Sequence, residues 1–309
     1  LADAHGFWNV IVPADVDNDG DMDYVAGNLG WNTRFGRPST ENPIRIHASD
    51  FDDNGSTDPI ITYFQRDKEW VMRDRSTILS QMPSLQRRFN SFEQFARTPF
   101  ENMFEAEPEA LDTVHTRKAT ELASMVLVND GTGRFTMNIL PAEVQMAPLY
   151  GAYVVDVDGD GNLDVITSGN LMGADREIIK YDAGRGLVMM GDGKGGFAAV
   201  EQLRAGFNVP GDGRTIVPLG GTSTDRDLVL SVVNQERPSL WTGLPAGKAV
   251  VPPKGVTNGL LDISGGRTRK IEFPYGGGYL SQTPQYVRVD GTTVLGVRFG
   301  GESPSINRR

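Results

Sequence analysis

Three nine-residue stretches carry oxygen-bearing side chains at one spacing: Asp15-Val16-Asp17-Asn18-Asp19-Gly20-Asp21-Met22-Asp23, Asp50-Phe51-Asp52-Asp53-Asn54-Gly55-Ser56-Thr57-Asp58 and Asp156-Val157-Asp158-Gly159-Asp160-Gly161-Asn162-Leu163-Asp164. Positions one, three and five hold a carboxylate or an amide, position six a glycine and position nine an aspartate. That order lets a short loop fold hard oxygens around Ca²⁺. The glycine supplies the sharp turn that brings both ends onto one ion. Mg²⁺ suits the pattern less well, because it keeps its waters and resists a cage made wholly of protein oxygens. The expected side-chain ligands are Asp15, Asp17, Asp19 and Asp23; Asp50, Asp52, Asn54 and Asp58; and Asp156, Asp158, Asp160 and Asp164. The position-seven carbonyl of Asp21, Ser56 or Asn162 completes each set, with one ion per loop and about three ions in all.

The elements that must hold these loops are strands. An EF-hand closes its site with a glutamate at position twelve and is flanked by helices; here position twelve is Ala26, Ile61 and Thr167. Position nine must therefore close the cage. Short β-branched and aromatic runs enter and leave each loop, Val10-Ile11-Val12 and Tyr24-Val25-Ala26 around the first, Ile44-Arg45-Ile46 and Ile60 to Phe64 around the second, and Ala152 to Val155 and Val165-Ile166-Thr167 around the third. Such runs favour the pleated, half-buried surface of a sheet. The repeated unit is strand, calcium loop, strand.

These repeats resemble the FG-GAP or VCBS repeats of integrin-type β-propellers, in which each calcium loop joins two strands of a blade. The resemblance implies an all-β, calcium-binding propeller. Two further register marks agree with a repeat: Gly27-Asn28-Leu29 is matched by Gly169-Asn170-Leu171, and the turn Asn129-Asp130-Gly131 by Gly191-Asp192-Gly193. Each Asp-Gly turn follows an apolar run and predicts the outer hairpin of a blade. A fourth unit, Thr215–Leu219 with Asp225–Ser231, keeps the strands and loses the metal oxygens. Propellers have roughly four to eight blades, so the chain is expected to be a small ring or, in preference, an incomplete one with blades upstream of Leu1.

Between the second and third loops, about residues 66–121, the grammar is helical. Ser91-Phe92-Glu93-Gln94 and Thr98-Pro99-Phe100-Glu101 read as capping boxes. Phe89, Phe92, Phe95, Phe100, Met103 and Phe104 recur at helical intervals and predict a face packed on the propeller, with a partner-binding surface as the other reading. Prolines 245, 252 and 253 mark a change of domain, giving blades over 1–242 and a small β module over 243–309. Within it, Tyr275-Gly276-Gly277-Gly278-Tyr279-Leu280-Ser281-Gln282 resembles the signature of the ASPIC/UnbV module that follows such repeats in bacterial surface proteins.

Composition bounds the function. The net charge of −10 is smaller than the number of carboxylates in the three loops, so the acidity speaks of metal before partners. No Lys/Arg run exceeds a pair, which disfavours nucleic acid. No segment has the apolar length of a membrane span, and the absence of cysteine leaves no disulfide framework. Loops of this kind fill where calcium is abundant, placing the protein outside the cytoplasm, either extracellular or associated with the cell surface or outer membrane.

Catalytic signatures are sparse. His5, His47 and His115 have no zinc spacing and are expected at surfaces or turns, and no GxSxG or Walker motif occurs. Trp8, Trp31, Trp70 and Trp241 read first as core and second as sugar-stacking faces, and Arg34 and Arg37 beside Trp31 make Gly30 to Pro38 the first candidate for a ligand-facing loop. The expected function is non-enzymatic binding or assembly, displaying rim loops to a protein or glycan partner, with membership of a larger envelope complex as a further expectation. The rival expectation is a polysaccharide-active enzyme with a groove at the propeller axis.

Overall fold

In the computed structural model the described residues are 2–104, 114–174, 179–276, 283 and 285–300. Their regular structure is mostly strand, in several small antiparallel sheets, none of them closed. Among the described residues no helix is long and apolar enough to cross a membrane. The chain forms two compact units, Leu1–Phe7 with Thr33–Leu122 and Trp8–Asn32 with Ala123–Arg309. The smaller unit thus enters the sequence between two halves of the first sheet of the larger one.

In the larger unit, β1 (Val10–Ala14) and β2 (Asp23–Gly27) form a hairpin joined by the first loop, and β7 (Met125–Asn129) and β8 (Phe135–Ile139) complete the order β1-β2-β7-β8. The second sheet repeats the plan: β9 (Leu149–Val155) and β10 (Asp164–Gly169) flank the third loop, and β11 (Leu187–Gly191) and β12 (Phe197–Ala199) add the outer hairpin. Both Asp-Gly turns therefore close the outer hairpin of a four-stranded sheet. The worn fourth unit is β13 (Gly213–Leu219), β14 (Leu228–Val233) and β15 (Ser239–Trp241).

The Gly-Asn-Leu marks join one sheet to the next. Asn28 and Asn170 are buried; the Asn28 carbonyl accepts the Leu149 N–H at the start of β9, and Asn170 Nδ2 donates to the Gly211 carbonyl ahead of β13. A Cβ on Gly27 would lie 2.6 Å from the Leu149 carbonyl oxygen, so only glycine permits that approach. The apolar faces meet in two cores, one containing Val25, Val126, Leu149, Val165 and Met189, the other Ile166, Phe207, Ile216 and Val229.

The chain then forms β16 (Lys248–Val250), paired with β19 (Val287–Val289), and β17 (Asn258–Ile263), which lies between β18 (Arg267–Glu272) and β20 (Val294–Phe299). The ASPIC/UnbV-like stretch falls largely at residues 277–282, outside the described residues.

The smaller unit is built on the second loop. β3 (Ile44–Ser49) and β4 (Asp58–Gln65) flank it, with β5 (Lys68–Val71) and β6 (His115–Ala119) at the edges in the order β5-β4-β3-β6. The helical segment lies inside the expected 66–121 stretch: α1 (Arg75–Gln81), α2 (Phe92–Ala96) and two 3₁₀ turns at Pro83–Arg87 and Phe100–Asn102. Asp74 caps α1 and Ser91 caps α2, each accepting an N–H three residues on. The second expected capping box does not form. Thr98 Oγ1 donates instead to the Gln94 carbonyl at 2.8 Å, and a single 3₁₀ turn follows Pro99.

Phe89, Phe95, Phe100, Met103 and Phe104 are buried with Phe51, Ile60 and Ile78, so the face is packed, but within the smaller unit and against its own sheet. Phe92 departs from it and is 63% exposed, its ring lying beneath the Arg75 guanidinium.

Candidate metal centres

All three nonapeptides adopt one hydrogen-bonded frame. The residue before position one pairs across the hairpin with position nine: Ala14 with Asp23, Ser49 with Asp58, Val155 with Asp164. The position-one carboxylate accepts N–H groups across the turn, Asp15 from Asp19 and Gly20 (both 3.1 Å), Asp50 from Asn54 (2.9 Å) and Gly55 (2.7 Å), Asp156 from Gly159 (2.7 Å) and Gly161 (2.9 Å). The position-nine carboxylate reaches back to the N–H of position two, at 2.9 Å in the first loop, 3.3 Å in the second and 2.7 Å in the third. In the first and third loops its other oxygen accepts the N–H of Asn129 or Gly191 from the neighbouring strand.

This frame gathers carboxylates. Ligand atoms of Asp15, Asp17 and Asp19 lie within 4.8 Å of one another, as do those of Asp50, Asp52 and Asp58 and those of Asp156, Asp158 and Asp164. Each group could hold a metal ion. Asp23 stands apart from the first group with both oxygens engaged by backbone, and Asp160 from the third, where its oxygens accept from Asn162. In the second, Asn54 Oδ1 accepts the Ser56 N–H at 2.8 Å. Asp21 lies against the neighbouring turn, where its Oδ2 would be 2.7 Å from a Cβ on Gly131.

The electrostatics fit a cation. Burial first, and neighbouring carboxylates second, push Asp17 up to about 6. Burial likewise carries Asp164 up to about 6, against backbone hydrogen bonds that pull it down. Asp15, Asp23, Asp52 and Asp156 are raised as well, burial being the largest cause in each. Asp17 Oδ1 and Asp52 Oδ1 are buried with no hydrogen-bond partner. A buried acceptor left unpaired is costly, and a divalent cation would satisfy both atoms while removing the repulsion.

Several features of these sites were not anticipated. Position four turns left-handed in every loop, at Asn18 (φ 61°), Asp53 (φ 55°) and Gly159 (φ 82°), all residue types that tolerate that conformation. The signal was present as Asn/Asp/Gly at four. Position two is a plug: Val16 and Phe51 are buried, and Val157 packs on the second core. Distant residues also brace the first and third loops. Arg269, Arg267, Thr293 and the Lys270 N–H all hydrogen-bond to them, from sequence distances of more than a hundred residues. No local pattern announces such contacts.

His47 corrects the expectation of surface or turn histidines. It is buried, with Nδ1 2.9 Å from Thr116 Oγ1, Nε2 2.8 Å from Glu69 Oε1, and its ring stacked on Phe100. Burial raises the Glu69 carboxyl, but hydrogen bonds from His47 and Thr62 and the charge of Arg45 outweigh it and hold the group below its ordinary value. Trp31 and Trp241 pack on core clusters, with Trp241 Nε1 donating to Ser231. Arg37 lines a hollow of about 180 Å³ in the smaller unit with Tyr63 and Arg66.

A cavity of about 300 Å³ in the larger unit is lined by Tyr153, Asp227, Arg269, Tyr286 and Arg288 among others. Its polar groups are largely bound to one another: Tyr286 Oη and Arg288 both donate to Asp227, and Arg288 also donates to the carbonyls of Thr224 and Gly247. Compared with known proteins, the chain matches no protein-family model and no curated protein sequence.

Proposed function

We propose that the chain is a calcium-stabilised, non-enzymatic binding or assembly protein that works outside the cytoplasm. In this reading each nonapeptide holds one Ca²⁺, the four-stranded sheets are blades of an FG-GAP/VCBS-type propeller, and loops fixed by calcium are displayed to a protein or glycan at the cell surface. The observation that carries it is the common frame: three separate stretches place carboxylates within 4.8 Å of one another. Two of them hold a buried carboxylate oxygen that lacks a partner. Calcium suits them better than magnesium because the cage is made of protein oxygens on flexible side chains. The mutual pairing of Asp227, Tyr286 and Arg288 in the larger cavity supports display over catalysis. Calorimetric titration with calcium, followed by a crystal structure in millimolar calcium, tests the reading. The expected result is three ions per chain with metal–oxygen distances of about 2.3–2.6 Å. Loops splayed apart with no density between the carboxylates would overturn it.

A further inference from the structure

We infer that Arg269 is a positioning residue shared by the first and third loops, so that a cation bound in one loop strengthens binding in the other. This rests on the calcium reading above. Arg269 lies in β18 and is 4% exposed, and its guanidinium divides between two loops. Nε donates to Asn18 Oδ1 at 2.9 Å and Nη2 donates to the Gly161 carbonyl at 2.6 Å. Neither acceptor belongs to the carboxylate groups. Both are the left-handed corners on which the loops turn, Asn18 at φ 61° and Gly161 at φ 86°.

A guanidinium is a planar fork whose donors keep a fixed relation to one another. One such fork therefore sets two corners together. The neighbouring backbone tightens the arrangement, since the Lys270 N–H donates to Asp15 Oδ2 at 2.7 Å. Arg267 Nη1 also donates to Asn162 Oδ1 at 2.8 Å, at position seven of the third loop. When one loop loses its ion, its crowded carboxylates repel and its corner shifts. The fork then either follows that corner or abandons it, and a buried guanidinium that loses an acceptor is unfavourable. Either response disturbs the other loop. The second loop has no such brace: among the described residues, the side-chain hydrogen bonds of Asp50, Asn54 and Asp58 stay inside the nonapeptide.

The test is a cycle of full-length chains in which the second loop is disabled by Asp52→Asn, titrated calorimetrically with calcium alone. With Arg269 intact, Asp17→Asn in the first loop should weaken binding at the third loop by at least about fivefold, the lower end of ordinary coupling between sites. In an Arg269→Gln background the same substitution should change third-loop affinity less than about twofold, within the scatter of uncoupled sites. Arg269→Lys should behave like Arg269→Gln, because charge without the fork cannot hold two corners. If the arginine variants do not fold, Asn18→Ala removes one acceptor and should abolish the coupling with Arg269 in place. Third-loop affinity that ignores Asp17→Asn while Arg269 is intact would overturn the coupling and leave the calcium reading standing. No calcium binding by the unaltered chain would overturn both.

Discussion

The second loop sends its position-two side chain, Phe51, into an aromatic cluster, where it stacks on Phe104 with ring centroids 4.7 Å apart. The first and third loops present the smaller Val16 and Val157 at that position, which also pack on apolar cores, and they take added support from β18 and the turn before β20. One nonapeptide frame thus rests on packing at position two in both units, and in the larger it is braced from outside by hydrogen bonds as well. The difference teaches that a cation at each site would steady different neighbours. In the smaller unit these are the short helices, and in the larger the C-terminal sheet.

Removing the ions should give the largest effect. A ligand at a thousand times its dissociation constant stabilises by about 4 kcal/mol per site, and the larger unit carries two of the three loops. In excess EGTA, calorimetry should show both units melting earlier, the larger by roughly twice the free energy of the smaller if their sites are alike. Restored calcium should reverse both shifts. Transitions that ignore chelation would show that the carboxylate groups do not matter to stability.

Phe51→Ala should come next. Truncating a buried phenylalanine costs about 3–5 kcal/mol, and Phe51 is 2% exposed. Hydrogen exchange should rise across α1, α2 and β4 while β17, β18 and β20 keep their protection. Equal loosening of the C-terminal sheet would erase the contrast between the two kinds of support.

Acidification in chelator should separate the units by sign. Asp17 and Asp164, both in the larger unit, sit at about 6 in the folded chain against an ordinary 3.8. Their folded state binds protons more readily, so stability of the ion-free larger unit should rise as pH falls from 7 through 6 toward 4. Glu69 in the smaller unit is shifted down from 4.5, so its contribution is present above that value and is lost as pH falls below it. Asp52 is raised and partly opposes this loss. Calcium should reverse the trend in the larger unit, because protons then compete with the ion for the same oxygens. Melting curves from pH 7 to 3 with and without calcium would check both signs, and a larger unit that loses stability on acidification from pH 7 to 4 in EGTA would refute the first.

Much of this arrangement was legible in the chain because it is local. The oxygen spacing gave the loops, β-branched flanks gave the hairpins, and the Asp-Gly turns gave β7–β8 and β11–β12, all within a few residues of their causes. What stayed hidden was long-range. Nothing near Asn129 says that β7 pairs with β2 across roughly a hundred residues, with Tyr24 opposite Leu127. His47 was expected at a surface or turn because its partners, Glu69 and Thr116, lie on two other strands and leave no local signal. Nothing in the Arg269-Lys270 pair announces a buried guanidinium, and the burial of Arg269 between two loops depends on how sheets pack. Phe92 misled for the opposite reason: α2 has only five residues, too short for a helical stripe to bury every member.

The smallest expected effect is the order in which the sites fill, and it follows from ligand charge and exposure together. The second loop offers an amide, Asn54, where the first and third offer Asp19 and Asp160. Its residues 53–57 are all exposed, whereas Gly161 in the third loop is buried. Fewer charges in a more solvated loop mean weaker calcium binding. The brace from Arg269 and Lys270 adds preorganisation to the first and third loops alone. The second site should therefore empty first as calcium is withdrawn, by a few-fold in dissociation constant, about 1 kcal/mol. Because Phe51 ties that loop to Phe104 and Phe100, the helices between Arg75 and Asn102 should loosen at the same calcium concentration, ahead of any change in β18. Hydrogen exchange at graded calcium would follow both events. Protection lost first between Asp156 and Asp164 would show that ligand charge and outer bracing do not rank these sites.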